Sequence, residues 1–186
     1  MEQVLALRNT TLPLRRTIAV VLGTALVALA AQVAVPLPGT PVPLTLQPLA
    51  VLIVGGLLGS WLGGASLLLY LALGAAGLPV FTPVGLPGIA RLLGPTGGYL
   101  LAYPLAASAV GRVAGDGRAI GRLALAAFAG LVLIHLGGLA QLLVLTGSLT
   151  RAAQLATLPF LLGDFIKLVL AVLILRPTIR PVRARL

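Results

Sequence analysis

The chain has 186 residues, of which 59% are hydrophobic and 9% are charged, and its mean hydropathy is +1.13. A soluble domain carries roughly a quarter of its residues as charged side chains, so lipid must be the main solvent of this chain. The net charge of +10 does not indicate a nucleic-acid-binding protein, because most bases lie beside apolar stretches and no aromatic residues are interleaved with the arginines. The sequence therefore predicts an integral membrane protein with no nucleic-acid partner.

Clusters of Pro, Gly and charged residues divide the chain into six apolar segments, each close to the about 20 residues that a membrane-spanning helix needs. The predicted fold is all-α, a single transmembrane domain (1–186) that forms a bundle of six helices. Only Gly59, Gly63 and Gly64, with Trp61 between them, separate the second segment from the third, so five spans with one long buried helix are the alternative. The six spans are predicted at about 17–35, 46–63, 64–80, 95–111, 122–146 and 152–175.

The basic residues test this helix count independently, because cytoplasmic loops are enriched in Lys and Arg. With six spans and a cytoplasmic N-terminus, Arg91 and Arg151 lie outside and Lys167 lies within a span. An odd count would place the two basic ends of the chain on opposite sides of the membrane, so six spans with both termini in the cytoplasm are favoured. The ten bases then predicted inside are Arg8, Arg15, Arg16, Arg112, Arg118, Arg122, Arg176, Arg180, Arg183 and Arg185.

The first span carries small residues at spacings of four, which allow another helix to approach closely. They predict docking of a partner protein, although packing within the chain is the commoner reason for any one such pair. A cleaved signal peptide is a further alternative for this segment, since Ala28-Leu29-Ala30 is like a cleavage site, but cleavage would leave five spans. The predicted docking residues are Ala19, Gly23, Thr24, Ala28, Ala30 and Ala34.

Two connecting segments differ from ordinary polar loops. Residues 36–48 contain five prolines, which fix φ and remove backbone donors, so this segment is predicted to be stiff and extended. Residues 81–98 are rich in Gly and Pro yet nearly as apolar as the helices. Because non-helical backbone at membrane depth is tolerated where protein covers it, we expect 81–98 to fold over the bundle as a re-entrant-like outer lid.

Two charged residues, Asp164 and Lys167, stand inside the last apolar stretch. Charges at the bilayer centre cost about 2.5–3.5 kcal/mol each on insertion scales, so they normally face a bundle interior or a cavity. Their i, i+3 spacing puts both on one helix face, either as an ion pair that only packs or as a polar ligand site. Pro159 favours the ligand site, because it frees the carbonyl of Leu155 and opens the helix.

Arg91 is the only base in the predicted lid. It could contact lipid headgroups at the outer interface. If the lid closes over the last helix, however, Arg91 joins Lys167 and Asp164 in a cluster of net charge +1. A small monoanion such as a carboxylate would neutralise that cluster. Further candidates for the same site are Gln47, Thr82 and Tyr99.

Other chemistry is not indicated. His135, the single histidine, is interpreted as a hydrogen-bonded packing residue, and with no cysteine the sequence predicts neither a metal site nor a cofactor. There is no GxxxxGK[ST] phosphate loop, no Ser-His-Asp set and no HExxH, so no catalytic residue is predicted. Asp164 is the only acid within a span, and any energy for transport must come from a partner.

Three segments together resemble the BioY family, the biotin-specific S subunits of energy-coupling factor (ECF) transporters. They are VPLPGTPVPLTLQPLAVL at 35–52, GLPVF…LLGPTGGYLLAYPLAA at 77–107 and LPFLLGDFIKL at 158–168. The resemblance implies six helices and a biotin pocket near the outer face. It also implies docking on a transmembrane T subunit with two ATP-binding ATPase subunits.

By the same resemblance, Arg91 and Lys167 hold the carboxylate of biotin and Asp164 faces its ureido ring. Some relatives place an Asn near the lid as a further ureido contact, whereas residues 77–98 contain none, which leaves that role to Thr82, Gln47 or a backbone group. The expected function is therefore substrate capture for a vitamin importer in the cell membrane, not catalysis. The alternatives are an S subunit for another vitamin, a small intramembrane enzyme that uses Asp164, and a scaffold in which the charged pair only packs.

Overall fold

The computed structural model describes the backbone of residues 2–186 and the side chains from residue 12 onward. This part of the chain is mostly α-helical, because a backbone surrounded by lipid must satisfy its hydrogen bonds within each segment. The elements, in chain order, are α1 (Glu2–Gln32), β1 (Ala34–Val35), β2 (Leu44–Thr45), α2 (Gln47–Ala75), α3 (Ile89–Leu93), α4 (Gly97–Val113), α5 (Ile120–Thr146), α6 (Leu149–Ala156), a 3-10 turn (Leu158–Phe160) and α7 (Leu161–Arg183).

Helix α2 is a hairpin of two antiparallel helices. Gly59 has φ 81° and ψ 179°, a conformation open to glycine, and it reverses the chain there. On a straight helix Gln47 and Tyr70 would be about 35 Å apart, yet Nε2 of Gln47 lies 2.7 Å from Oη of Tyr70. The alternative of one long helix is therefore wrong. The reversal occurs at Gly59 and not near residue 63, because Gly59 is the glycine that takes the positive φ.

The last predicted span, 152–175, is interrupted. Helix α6 ends at Ala156, the 3-10 turn follows, and α7 begins at Leu161. Pro159 lies inside the turn, where its missing N–H and its ring prevent a continuous α-helix. As expected, the carbonyl of Leu155 is left without a helical partner, and it accepts a hydrogen bond from Oγ1 of Thr40 at 2.8 Å. The helix also continues beyond residue 175, to Arg183.

Four stretches are long and apolar enough to cross a membrane: Leu12–Gln32, Gln47–Ala75, Ile120–Thr146 and Leu149–Arg183. The second of these holds two helices, because the chain reverses at Gly59. Helix α4 adds a sixth apolar helical segment of 17 residues. The chain is accordingly a multi-pass, all-α membrane protein. Helix α1 begins at Glu2, well before the predicted start at 17, and the third helix ends at Ala75 and not at 80. The remaining predicted boundaries differ from the helix ends by a few residues.

Small residues allow the central helices to pack closely. The two halves of α2 lie against each other and against α4, and α4 lies against α5. A Cβ atom on Gly55 would stand 2.8 Å from Cα of Ala107, and one on Gly63 would stand 3.0 Å from Cα of Gly55. Such contacts bring backbones together where larger side chains would hold them apart, which is the usual mode of helix packing in lipid.

The small residues of α1 also face their own bundle. Gly23 lies against the side chain of Ser66, and Oγ1 of Thr24 donates to the carbonyl of Ser66 at 2.8 Å. Ala19 is buried, and Ala28, Ala30 and Ala34 are half-buried. Gly23 and Thr24 therefore pack within the chain, and docking of a partner on the predicted residues stays a prediction. The opposite face of α1 is apolar and exposed, with Leu14, Ile18, Leu22 and Leu29.

The connecting segments gather at one end of the bundle. The sequence predicted an extended segment over 36–48, and this prediction is wrong. Residues 36–43 form the arch of a hairpin, because β1 and β2 pair antiparallel with Ala34 opposite Thr45. Residues 76–96 fold back over the same end, and the ring of Phe81 packs edge-on against Tyr70 with centroids 5.4 Å apart. The folded-back segment ends before Gly97, where α4 begins.

Candidate functional site

A cavity lies beneath these segments, between the first half of α2 and helices α4, α5 and α7. Most of its wall surface is apolar, and polar groups from several helices converge on it, as in pockets for small molecules. The apolar wall includes Val42, Phe81, Leu100, Leu131, Ile134 and Phe160. The polar lining residues are Thr45, Gln47, Thr82, Thr96, Tyr99, Tyr103, His135, Asp164 and Lys167.

The buried ion pair stands at the start of α7. Nζ of Lys167 lies 2.9 Å from Oδ1 of Asp164, and each residue is only 6% exposed. Because the helix begins at Leu161, Asp164 occupies its first turn, where the helix dipole favours a negative charge. The i, i+3 spacing thus puts both side chains on the cavity face, as the sequence predicted.

His135 belongs to the same cluster. Its Nε2 lies 2.5 Å from Oδ2 of Asp164, and its Nδ1 lies 3.1 Å from the carbonyl oxygen of Ala156. The sequence interpretation of His135 as a hydrogen-bonded packing residue was therefore incomplete, since its partner is the site carboxylate and its ring lines the cavity. A single imidazole in the middle of an apolar span needs a polar partner, and this requirement could have pointed to Asp164.

Two tyrosines of α4 face the cavity one helical turn apart. Oη of Tyr99 donates to the carbonyl of Ala156 at 2.6 Å, and its ring stands edge-on to His135 with centroids 6.1 Å apart. Ala156 can accept from both residues because α6 ends there. Tyr103, which the sequence reasoning missed, is 3% exposed and lines the cavity. Its i, i+4 spacing from Tyr99 is the pattern that would have found it.

Gln47 and Thr82 are both brought to the cavity wall. Nε2 of Gln47 donates to Oη of Tyr70, a bond that joins the two halves of α2. Thr82 lies on the folded-back segment and is 8% exposed. Both weaker candidates from the sequence therefore lie where a bound molecule could reach them.

Arg91 lies in a neighbouring cavity and not beside the ion pair. Its guanidinium donates to Oγ1 of Thr82 at 3.0 Å, to the carbonyl of Thr82 at 2.8 Å and to the carbonyl of Val84. Among the residues with described side chains, no hydrogen bond or ion pair joins Arg91 to Asp164 or Lys167. The predicted three-residue cluster is therefore divided into two compartments, because α3 holds Arg91 on the far side of Thr82.

The second cavity is bounded by the proline-rich arch and the folded-back segment. Pro43 and Thr96 line both cavities, so the two compartments share a wall. Burial lowers the pKa of the Arg91 guanidinium from its ordinary value, and its Nε is buried without a partner in the described residues. A buried cation with an unused donor is suited to an anionic ligand.

A third, apolar groove runs between α5 and α7 and reaches His135 and Asp164 from the other side. Its walls are large hydrophobic side chains, among them Phe128, Leu136 and Phe165, which are exposed on the bundle surface. Leu131, His135 and Asp164 line both this groove and the central cavity.

The described residues include no group of three His, Cys, Asp or Glu side chains that could hold a metal ion.

Comparison with known proteins identifies the family of this chain. The sequence profile of the BioY family matches residues 4–184. A "Probable biotin transporter BioY" of Pyrococcus horikoshii is 43% identical over 83% of this chain and 90% of its own length. The biotin transporter BioY of Thermotoga maritima is 36% identical over 81% of this chain and 88% of its own length.

A solved structure is also similar, that of an S-component for biotin from an ECF-type ABC transporter. It has a TM-score of 0.79 and 28% sequence identity, and the match covers 89% of this chain and 90% of that one. The family resemblance seen in the three sequence segments is confirmed, and this chain belongs to the BioY family.

Proposed function

We propose that this chain is the substrate-capture (S) subunit of an ECF-type vitamin importer and that its ligand is biotin. Its relatives are named biotin transporters, and the similar solved structure is an S-component for biotin. The observation that carries the proposal is the buried Asp164–Lys167 pair, bonded to His135, in an otherwise apolar cavity. Such a costly polar cluster inside a membrane protein marks a functional site by default.

The chemistry of the cluster matches the ureido ring of biotin. That ring has two N–H donors and one carbonyl acceptor, and an ionised carboxylate such as Asp164 is an acceptor only. The ammonium group of Lys167, 2.9 Å from Asp164, is a donor suited to the ureido oxygen. The thiophane ring would pack on the apolar wall, where Phe81, Ile134 and Phe160 lie.

The carboxylate of biotin needs a cation at some distance from the ureido end, because the valerate chain separates the two groups. Lys167 lies beside Asp164, so it cannot serve the far end of the same ligand while Asp164 holds the ureido ring. Arg91, beyond Thr82, is the buried cation in the right direction. We therefore assign the carboxylate to Arg91 and place Lys167 with Asp164 at the ureido end, a refinement of what the family resemblance implied for Lys167.

Equilibrium binding of two ligands to the purified, detergent-solubilised protein tests this assignment. Biotin carries the carboxylate, and biotin methyl ester is neutral at the same end. Arg91→Ala should weaken biotin binding and leave the affinity for the ester nearly unchanged, whereas Lys167→Ala should weaken both ligands equally. The matched control is Arg151→Ala, which removes an exposed base at the same end of the bundle.

Each outcome has a distinct meaning. The wild type should prefer biotin to its ester. If Lys167→Ala loses this preference and Arg91→Ala keeps it, Lys167 and not Arg91 binds the carboxylate. A folded wild-type protein that binds neither ligand would refute the biotin assignment, and competition with a panel of other vitamins would then find the substrate of a different S subunit. Turnover of a substrate by the protein without ATPases would favour the intramembrane enzyme.

We further propose that both termini are cytoplasmic and that 81–96 is the outer lid. The end of α7, the reversal at Gly59 and the 114–119 loop lie together, because Arg183 donates to carbonyls of Gly56, Gly111 and Gly115. Arg112 and Arg122 flank that loop and Arg118 lies within it, as expected for the cytoplasmic side.

Cysteine labelling can test this orientation directly, since the chain has no natural cysteine. Leu86→Cys and Arg118→Cys place single thiols at exposed positions on opposite ends of the bundle. In intact cells a membrane-impermeant maleimide should label the thiol at 86 and reach the thiol at 118 only after permeabilisation. The reverse labelling pattern would show the opposite orientation in the membrane, with residues 81–96 on the cytoplasmic side.

The energy source is proposed to be ATP hydrolysis by partner subunits. The sequence has no phosphate loop of its own, and the similar solved structure is a component of an ECF-type ABC transporter. In proteoliposomes, biotin uptake by this chain should require a T subunit and two ATPase subunits together with ATP. Equal uptake by the chain alone would show that it transports without them.

A further inference from the structure

The hydrogen bonds of His135 restrict where its protons can be. Nδ1 lies 3.1 Å from the carbonyl oxygen of Ala156, and a carbonyl oxygen can only accept. That oxygen also accepts from Oη of Tyr99 at 2.6 Å, which confirms its role as an acceptor. Nδ1 of His135 must therefore carry a hydrogen.

The second nitrogen of His135 then requires one more proton. Nε2 and Oδ2 of Asp164 are 2.5 Å apart, and two bare lone pairs would repel each other at that distance. Either the imidazole is doubly protonated and donates to an ionised carboxylate, or the carboxyl group is protonated and donates to a neutral imidazole. In both cases one proton lies between the two side chains.

We propose that His135 and Asp164 hold one shared proton in the unliganded protein, so that His135, Asp164 and Lys167 together carry a net charge of +1. The proton lies on the side of Asp164 that faces α5, away from Lys167 and the ligand. The carboxylate therefore presents only acceptor lone pairs to the cavity in either arrangement. His135 is a positioning residue, since it acts on the ligand through Asp164.

The other titratable groups around the pair do not supply this proton. From α4, Tyr99 donates its hydroxyl hydrogen to Ala156, and Tyr103 lines the cavity. From α7, Lys167 donates to Oδ1 and not to Oδ2 of Asp164. Arg91 lies in the neighbouring cavity, and the base of α6, Arg151, is exposed.

The consequence for recognition rests on the proposed function, whereas the shared proton does not. An Asp164 that offers only acceptors selects a ligand with N–H donors, such as a cyclic urea. Without His135, the carboxyl group of Asp164 loses one of its two partners. If that group is then protonated, its O–H can point into the cavity. Two donors, this O–H and the N–H of the ligand, would then face each other without an acceptor. His135 thus fixes the polarity of the ureido end of the site.

Nitrogen-15 NMR of the purified protein labelled at histidine tests the shared proton. His135 is the single histidine of the chain, so its two ring nitrogens give the imidazole signals without assignment by mutation. We expect either both nitrogens protonated or Nδ1 protonated with a hydrogen-bonded Nε2. We also expect a far-downfield proton resonance that disappears in Asp164→Asn. A neutral ring protonated only at Nε2 would overturn the proposal, as would the absence of that resonance from the wild type.

Ligand binding tests the positioning role separately. His135→Leu should lower the affinities for biotin and biotin methyl ester by the same factor, at least about tenfold, because a hydrogen bond to a charged group is lost at the ureido end. His135→Gln, which keeps one donor toward Asp164, should recover part of this loss. Wild-type affinity in His135→Leu would overturn the positioning role. Absence of biotin binding by the wild type would instead refute the proposed function and leave the NMR result standing.

Discussion

The guanidinium of Arg91 donates to both the hydroxyl and the carbonyl oxygen of Thr82, at 3.0 and 2.8 Å. Thr82 thereby stands between the cation and the cavity that contains Asp164. Thr82 therefore links Arg91 of the second cavity to the wall of the cavity that contains Asp164.

We expect Thr82→Val to loosen the orientation of Arg91, because the substitution keeps the shape of the side chain and removes one acceptor. The affinity for biotin should fall about threefold to tenfold, within the range of one net hydrogen bond. The affinity for biotin methyl ester should not change. Equal losses for both ligands in a binding titration would show that Thr82 contacts the ligand itself and does not act through Arg91.

The buried ion pair predicts an asymmetry between single and double substitutions. Asp164→Leu alone leaves the ammonium group of Lys167 buried without its partner, and breaking a buried pair in this way commonly costs about 3–5 kcal/mol. Replacing both residues, with Asp164→Leu and Lys167→Met, should recover much of that stability while it abolishes biotin binding. Thermal unfolding in detergent measures both effects. A double variant no more stable than Asp164→Leu would mean that His135, left unpaired in both variants, dominates the cost.

The reversal in α2 predicts that Gly59 is intolerant of a side chain. Gly59→Ala forces φ 81° on a residue with a Cβ atom, at a cost of at least about 1–2 kcal/mol. Gly121→Ala is the matched control, because nothing lies within 4 Å of a Cβ atom there. The melting temperature should therefore fall for Gly59→Ala. It should stay unchanged or rise for Gly121→Ala, since alanine favours a helix. Equal shifts would remove the role assigned to the turn.

We expect Arg183 to stabilise the end of the bundle that lies opposite the cavity. It donates to the carbonyls of Gly56, Gly111 and Gly115. Hydrogen bonds from a charged donor contribute about 1.5–3 kcal/mol each at most, so Arg183→Ala should destabilise the protein by roughly 2 kcal/mol or more.

Arg183→Lys should recover little of this loss, because a single ammonium group cannot reproduce the planar fork of a guanidinium. Arg176→Ala, which removes an exposed base of the same helix, is the control and should leave the melting temperature unchanged. A melting temperature for Arg183→Ala equal to that of the control would contradict the assigned role.

The sequence was sufficient for the class of fold, because apolar segments of spanning length and the positions of the arginines are local properties. It could not place the reversal in α2, since Gly59, Gly63 and Gly64 are equivalent on paper and only the packed structure shows which one takes a positive φ. The course of the 36–43 arch was also mispredicted, because β1 and β2 pair across it and prolines alone do not reveal that pairing.

The site was predictable where its residues are close in sequence. The i, i+3 spacing of Asp164 and Lys167 determines their common face once the helix is known. His135 lies on another helix, 29 residues before Asp164, and its bond to the carboxylate is a product of tertiary packing. The separation of Arg91 from the pair also depends on how the loop turns at Thr82, which no periodicity encodes.

Helix α7 carries the cavity cluster in its first turn and the Arg183 contacts in its last. The two lie about 28 Å apart along the same helix. If α7 slid along its own axis, it would break the bonds of Asp164 to His135 or those of Arg183 to the neighbouring helices. Sliding of α7 alone is therefore unfavourable. A motion that keeps both sets of bonds would therefore move α2, α4, α5 and α7 together as one unit, because Asp164 bonds to α5 and Arg183 bonds to α2 and α4.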